Sequence, residues 1–263
     1  MTEEKSNSTL INAAVEITKA VPIYQDALQP FAKETGKALG TVGQTINAAF
    51  APLRGIVWGL ERIEEFVKEK VSKKLENTSP EEIVTPPIEI AGPTLESLRY
   101  TGNNEELSNL YANLLASSMV ASKTQKTHPA FVEIIRNLCS DEAKIFKIIY
   151  EEIQVPAIDI ASQEINSSGY HLASQMISPV FYLAKCENFV NCQSYITNLE
   201  RLGLIIIDKT RRLDGKFYSE IIEDSDIKKV IQEIEENKRI PRIIKYIFEL
   251  TPLGAKFGQC CIE

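Results

Sequence analysis

The sequence predicts a mainly α-helical protein with a small β-hairpin, built as an N-terminal helical region followed by a C-terminal winged-helix-like module. Three observations predict it. Apolar residues recur at spacings of three and four through most of the chain, the mark of helices with one buried face. A proline-rich stretch at residues 77–93 interrupts that pattern. Near the C-terminus, a helical stripe stops at Gly203 and runs into the β-rich residues 204–207, with an Asp214-Gly215 turn signal shortly after.

The 263 residues suffice for two modest domains. A hydrophobic content of 44% with 25% charged residues is ordinary for a globular protein. The net charge of −7 argues against a protein that coats nucleic acid, because such binding neutralises phosphates with a surplus of Lys and Arg. The five cysteines, Cys139, Cys186, Cys192, Cys260 and Cys261, form no CxxC pair, so neither a disulfide framework nor a zinc knuckle fits, and reduced core thiols are expected. Residues 1–9 are polar and acidic, unlike a signal peptide, which predicts a cytoplasmic protein.

Residues 1–76 form the first expected region, with helices broken by Pro22, Pro30 and Pro52. Within it, residues 38–60 carry one charge, Arg54, and Gly36, Gly40 and Gly43 repeat at four and three, a pattern that permits close helix packing. Such a segment serves a buried or self-associating helix; contact with a membrane on activation is the other reading, although Gln44, Asn47 and Pro52 make it a poor spanning helix. An amphipathic helix follows, with Ile63, Phe66, Val67 and Val71 on one stripe.

After the linker at 77–93, residues 94–139 are expected as a helical core. Pro93 precedes a short helix at 94–100, and Asn103 or Asn104 caps a longer one, Asn103 with Glu106 resembling a capping box. In that helix Leu107, Leu110, Tyr111, Leu114, Leu115 and Met119 share a face. Pro129 opens the next.

Residues 140–263 form the module. Ser140 is placed to cap a helix, with Asp141 and Glu142 where the helix dipole favours negative charge. Residues 155–190 show no clear pattern and are expected as an irregular insertion, with Ser167, Ser168, Gly169 and Pro179 in loops. Tyr195, Ile196, Leu199 and Leu202 then form a helix closed by Gly203. Residues 204–207 give one strand, 209–216 the wing and 217–222 the return strand. A helix at 227–236 follows, and Thr251 with Pro252 opens the last one.

Three stretches together resemble the Abi-alpha family of bacterial proteins: IVTPPIEIAGPTLESLRYT at 83–101, LSNLYANLLASSM at 107–119, and YITNLERLGLI paired with LTPLGAKF. The family is associated with abortive infection, in which an infected cell stops growing or dies before phage can spread. The resemblance implies a phage-defence role. It carries no catalytic residues over to this chain.

The sites follow from residue chemistry. His128 and His171 have no metal-ligand neighbours in sequence, and the clusters Glu61, Glu64, Glu65 and Glu233, Glu235, Glu236 alternate with lysines as solvated helix faces do. No phosphate loop, GxSxG elbow or HExxH occurs, so neither a cofactor nor a metal is predicted and the protein is expected not to be an enzyme. The strongest local charge is the wing, with Lys209, Arg211, Arg212 and Lys216, beside a helix holding Asn198 and Arg201. These six would make the phosphate contacts of a winged-helix DNA-binding regulator. Against that stand the acidic total and Glu200 on the same helix, so self-association or another protein partner is the first expectation.

Overall fold

The computed structural model describes residues 65–263. The chain divides between Arg136 and Asn137 into two compact units. Gly36, Gly40, Gly43 and residues 38–60 lie outside the described residues.

The first unit is helical. A π-helical turn, Val67–Val71, runs into α1 (Ser72–Leu75), and is followed by α2 (Ile88–Thr101), α3 (Glu105–Ser118), α4 (Ala121–Thr124) and α5 (Ala130–Arg136). The predicted stripe of α3, from Leu107 to Leu115, is buried, and so are the small residues Ser108, Ala112, Ala116 and Ser117. A helix buried on nearly every side needs neighbours all round, and α2, α5 and the π-helical turn supply them. Its cap is Asn104, whose Oδ1 accepts from the Leu107 amide at 3.2 Å. The cap is thus Asn104, and the residue three positions on is Leu107, whose side chain cannot return the bond that a capping box requires. Helix α2 begins six residues before Thr94 and takes Pro93 inside it. Proline there removes the bond to the Glu89 carbonyl, but Glu89 is exposed and water can replace it.

The second unit carries α6 (Ser140–Glu152), β1 (Gln154–Glu164), β2 (Tyr170–Ile177), α7 (Val180–Leu183), α8 (Cys192–Arg201), β3 (Ile205–Asp208), α9 (Lys216–Glu223), α10 (Ser225–Glu236), β4 (Arg239–Leu250) and α11 (Pro252–Cys261). The four strands form one antiparallel sheet in the order β2-β1-β4-β3. Two expectations are corrected here. The segment at 155–190 contains β1 and β2, and residues 217–222 are helix rather than a return strand.

Both corrections have physical causes. Strand β1 is buried on both faces, so it shows no alternation of apolar and polar residues. It also holds Pro156, which argues against a central strand. The Pro156 carbonyl accepts the Ser178 hydroxyl at 2.8 Å, and pairing with β2 starts only at Ile158, so the missing amide falls where no ladder bond is needed. In α9, the buried residues are Tyr218 and Ile221, three apart. Asp214 accepts from the Lys216 amide at 3.0 Å, which makes the Asp-Gly pair a helix start. The true partner of β3 is β4, with Ile205 opposite Leu250 and Asp208 opposite Ile247.

Ile158 and Ile160 pack with Tyr218, Ile221 and Ile234, placing α9 and α10 on one face of the sheet. Ala157, Asp159 and Ala161, on the alternate face, are buried too. Helices α6 and α8 contact the same sheet. Helix α8 ends as predicted, with Gly203 at φ 72° and the Leu204 amide bonded back to the Leu199 carbonyl at 3.0 Å. It is also tied to both edge strands: Gln193 donates to the Gln175 carbonyl of β2, and Glu200 accepts from the Ile207 amide of β3, each at 3.1 Å. Such bonds occupy edge groups that would otherwise pair with another chain. Thr251 caps α11 through the Gly254 amide at 2.8 Å. A methyl at Gly254 would overlap the Leu204 carbonyl, and one at Gly258 the Tyr150 ring, so both glycines permit close packing.

Candidate functional site

The second unit centres on Asp159, a carboxylate with 1% of its side chain exposed. The β1–β2 register passes from Ile158 opposite Ile177 to Ile160 opposite Ser174, so Gln175 and Met176 both face Asp159 in a β-bulge. Met176 takes φ 54°, a costly conformation for a residue with a side chain. Its amide donates to Asp159 Oδ1 at 2.9 Å, which supports that geometry. Tyr246 lies opposite Ala157, diagonal to Asp159, and its hydroxyl donates to the same oxygen at 2.7 Å. Lys209 Nζ reaches Oδ2 at 2.7 Å and sits 4.9 Å from the centre of the Tyr246 ring. Burial first, and then the Asp159 carboxylate, push the Tyr246 hydroxyl far above the usual tyrosine range. It therefore stays protonated and donates.

The wing cations meet further carboxylates. Arg211 Nε bonds Asp208 Oδ2 at 2.6 Å, and its Nη2 pairs with Glu249. Asp208 Oδ1 accepts from the Thr210 hydroxyl and from the amides of Thr210 and Arg211. Thr210 and Arg211 together hold the Asp208 carboxyl well below the ordinary aspartate value. The loop is pinned at its far end as well, where Leu213 donates to Tyr218 Oη at 3.1 Å and that hydroxyl donates to the Tyr246 carbonyl at 2.9 Å.

The two helix candidates are brought together, but toward each other. Asn198 Oδ1 accepts from Arg201 Nε and Nη2 at 2.9 and 2.7 Å, and its Nδ2 donates to the Asn137 carbonyl and to Glu142 Oε1. Of the six residues, Arg212 and Lys216 are left exposed outside these bonds, Lys216 lying 5.1 Å over the Phe217 ring. Most of the predicted phosphate contacts are thus engaged within the unit. Asp159 and Tyr246 escaped sequence reading because they lie far apart in the chain and match no motif.

Other polar groups are also accounted for. A cleft of about 490 Å³ is lined by Ser162, His171, Ser174, Glu233 and Arg239 among others. Arg239 donates to Ser162 Oγ at 2.7 Å and faces His171 Nδ1 at 3.1 Å. A guanidinium only donates, so Nδ1 accepts and the imidazole proton sits on Nε2. His128 Nδ1 accepts from the Ala130 amide at 3.0 Å. Among the described residues, no group of three or more His, Cys, Asp or Glu side chains is arranged to hold a metal ion. Among them too, no helix is long and apolar enough to cross a membrane.

A second feature of the unit is apolar. Tyr182 and Leu183 at the end of α7, and Phe189 and Val190 in the 3₁₀ turn Phe189–Asn191, are 69, 58, 47 and 93% exposed. The Tyr182 and Phe189 rings lie 5.0 Å apart. Beneath them Asp141, which opens α6, accepts the Glu187 and Asn188 amides at 3.0 and 3.1 Å. Burial raises the Asp141 pKa, but those two amides and Lys144 outweigh it and hold the carboxyl below its ordinary value. Cys186 and Cys192 are buried close by, and burial pushes the Cys186 thiol up to about 12.

No curated protein matches the chain. A solved structure, the uncharacterized protein from the hydrocarbon-degrading marine bacterium Alcanivorax borkumensis SK2, is similar over 54% of this chain and 96% of its own at 16% identity. Its TM-score of 0.35 is too low to carry an argument about this fold or function. The family model described as abortive infection alpha matches residues 59–261. That span contains the stretches quoted from residues 83–119, the closing stripe of α8 and the cap of α11, and by it the chain belongs to the abortive infection alpha family.

Proposed function

We propose that this chain is a non-enzymatic phage-defence protein that acts through protein contacts made by its second unit, a winged-helix-like module. The connectivity supports the module: α6, β1, α7, α8, β3 and β4 follow in winged-helix order, with β1, β4 and β3 adjacent in the sheet. Strand β2 is added at one edge, and α9 and α10 stand where a simple wing would turn. Family membership supplies the defence context.

The observation that carries the interaction reading is the contrast in surface chemistry. Two of the four cations at the wing position, Lys209 and Arg211, are matched by Asp159, Asp208 and Glu249, while four large apolar side chains stand exposed around the turn after α7. A contiguous apolar patch on a soluble unit marks a contact site. A wing with only Arg212 and Lys216 left outside its ion pairs offers fewer contacts to a phosphate backbone than its sequence suggests. Expression in a phage-sensitive bacterium tests the reading. Infected cultures carrying the protein should release fewer phage while infected cells fail to divide. Unchanged phage yield would sink it.

A further inference from the structure

Helix α10 and the hairpin end of the sheet enclose the cleft of about 490 Å³, a size that suits a small molecule. Its two walls differ in chemistry. Val230, Glu233, Ile234 and Asn237 recur at spacings of three and four along α10, so they share the face that forms the helix wall. Val230 and Ile234 pack with Ile158 and Ile160 and fix the helix there. Glu233 is exposed, and its carboxylate bonds to none of the described residues. Asn237 gives Nδ2 to the Glu233 carbonyl at 2.7 Å and keeps Oδ1 open. Both stand at the C-terminal end of α10, where the helix dipole is negative. This wall offers acceptors.

The sheet wall is built from Ser162, His171, Ser174 and Arg239. Pro241 lies opposite Ser162 and has no amide to offer it, and Arg239 Nη2 reaches the Ser162 carbonyl at 3.5 Å. The same guanidinium donates to Ser162 Oγ, Glu164 and His171, which fixes it across three strands. Glu164 shares that cation but is 67% exposed and solvated. Ser162, 2% exposed, accepts from Arg239, and its own proton meets no acceptor among the described residues. A buried donor in that state is costly, and a ligand oxygen would satisfy it. His171 keeps a proton on Nε2, and the Ser174 hydroxyl bonds to none of the described residues. This wall offers donors around a cation.

We propose that the cleft binds a small zwitterion, an α-amino acid with an apolar side chain. Its carboxylate takes the protons of Ser162, Ser174 and His171 beside Arg239, and its ammonium takes Glu233 and Asn237 Oδ1. Its side chain lies on Val230, Ile234 and Ala173. The opposed walls select this class. An anion such as phosphate would meet Glu233, a polyamine would meet Arg239, and an uncharged apolar molecule would leave both walls without partners. The proposal is independent of the contact surface after α7 and adds a ligand to the same unit.

Isothermal titration calorimetry of the full chain with L-leucine and L-valine tests this. L-Leucine should give saturable heat at millimolar concentration and raise the unfolding midpoint. L-Leucinamide, which lacks the carboxylate, and isocaproate, which lacks the ammonium, should each bind at least about tenfold more weakly, because each leaves charged partners unpaired. Glu233→Gln, at an exposed position, should leave the midpoint of the unliganded protein unchanged. That variant should bind L-leucine and isocaproate alike while still rejecting L-leucinamide. A wild-type protein that binds neither L-leucine nor L-valine overturns the proposal. So does a wild type that takes either analogue as well as L-leucine, or a Glu233→Gln variant that keeps the wild-type preference for L-leucine over isocaproate.

Discussion

Two projecting segments of the second unit invite comparison. The loop after β3, residues 209–215, is rich in charge, and its Lys209 and Arg211 are bonded to carboxylates supplied by β1, β3 and β4. The turn after α7, residues 184–191, holds one lysine and one glutamate, and with the end of α7 it lifts large apolar side chains into solvent. Each is fixed by a buried aspartate, Asp159 in one case and Asp141 in the other. In the basic loop the aspartate neutralises one of the cations, Lys209; in the apolar turn it fixes backbone amides and leaves the surface free. A cationic sequence is therefore no guide to a cationic surface until its partners are known.

The largest effect that would break this comparison lies at the Lys209–Asp159 pair. Lys209→Met removes the counter-charge of a carboxylate that is 1% exposed, and should cost about 3 kcal/mol in urea unfolding. Asp159→Asn should cost less. The side chain of Lys209 is 49% exposed and can turn to water, and the amide can still accept from Tyr246. Equal or reversed losses would show that the pair is an ordinary surface bridge.

Next comes the clamp beneath the apolar turn. Asp141→Asn removes a charged acceptor from the Glu187 and Asn188 amides, and should cost about 1.5–3 kcal/mol and speed their hydrogen exchange. The pH dependence has a definite sign. The folded carboxyl lies below its ordinary value, so its stabilisation is present above the unfolded pKa of about 4 and is lost as pH falls through the lowered folded value. In Asp141→Asn the acid limb of the unfolding midpoint should therefore be shallower. An unchanged acid limb would remove Asp141 from the account.

How much of this was legible in the sequence depends on how local each signal was. Helix α3, the Gly203 terminus of α8 and the Thr251 cap of α11 rest on residues within a few positions of each other, and the spacing of Leu107, Leu110 and Leu114 was enough. Strand β1 was lost because burial on both faces erases alternation. Helix α9 was mistaken for a strand because Asp214-Gly215 begins a turn and a helix equally well. Strand β4 was missed as the partner of β3 because two helices intervene. At the site, the cations of residues 209–216 could be read, but Asp159 and Glu249 come from other strands, and only pairing in the sheet brings them there.

The smallest effect should come from the exposed cations. Arg212→Glu with Lys216→Glu should change stability by less than about 0.5 kcal/mol, because both lie outside the ion pairs of the loop. Retention of the wild-type protein on duplex DNA should be weak even at low salt, so this variant has little to lose. A steep loss of salt-dependent retention would restore the nucleic-acid reading.

The most direct measurement compares the two segments in one assay, phage yield from infected cultures expressing the wild type, Val190→Glu, or Arg212→Glu with Lys216→Glu at equal protein levels. The apolar turn after α7 is the working surface in this account, so Val190→Glu should lose protection and the charge variant should keep it. Protection lost in the charge variant and retained in Val190→Glu would contradict it.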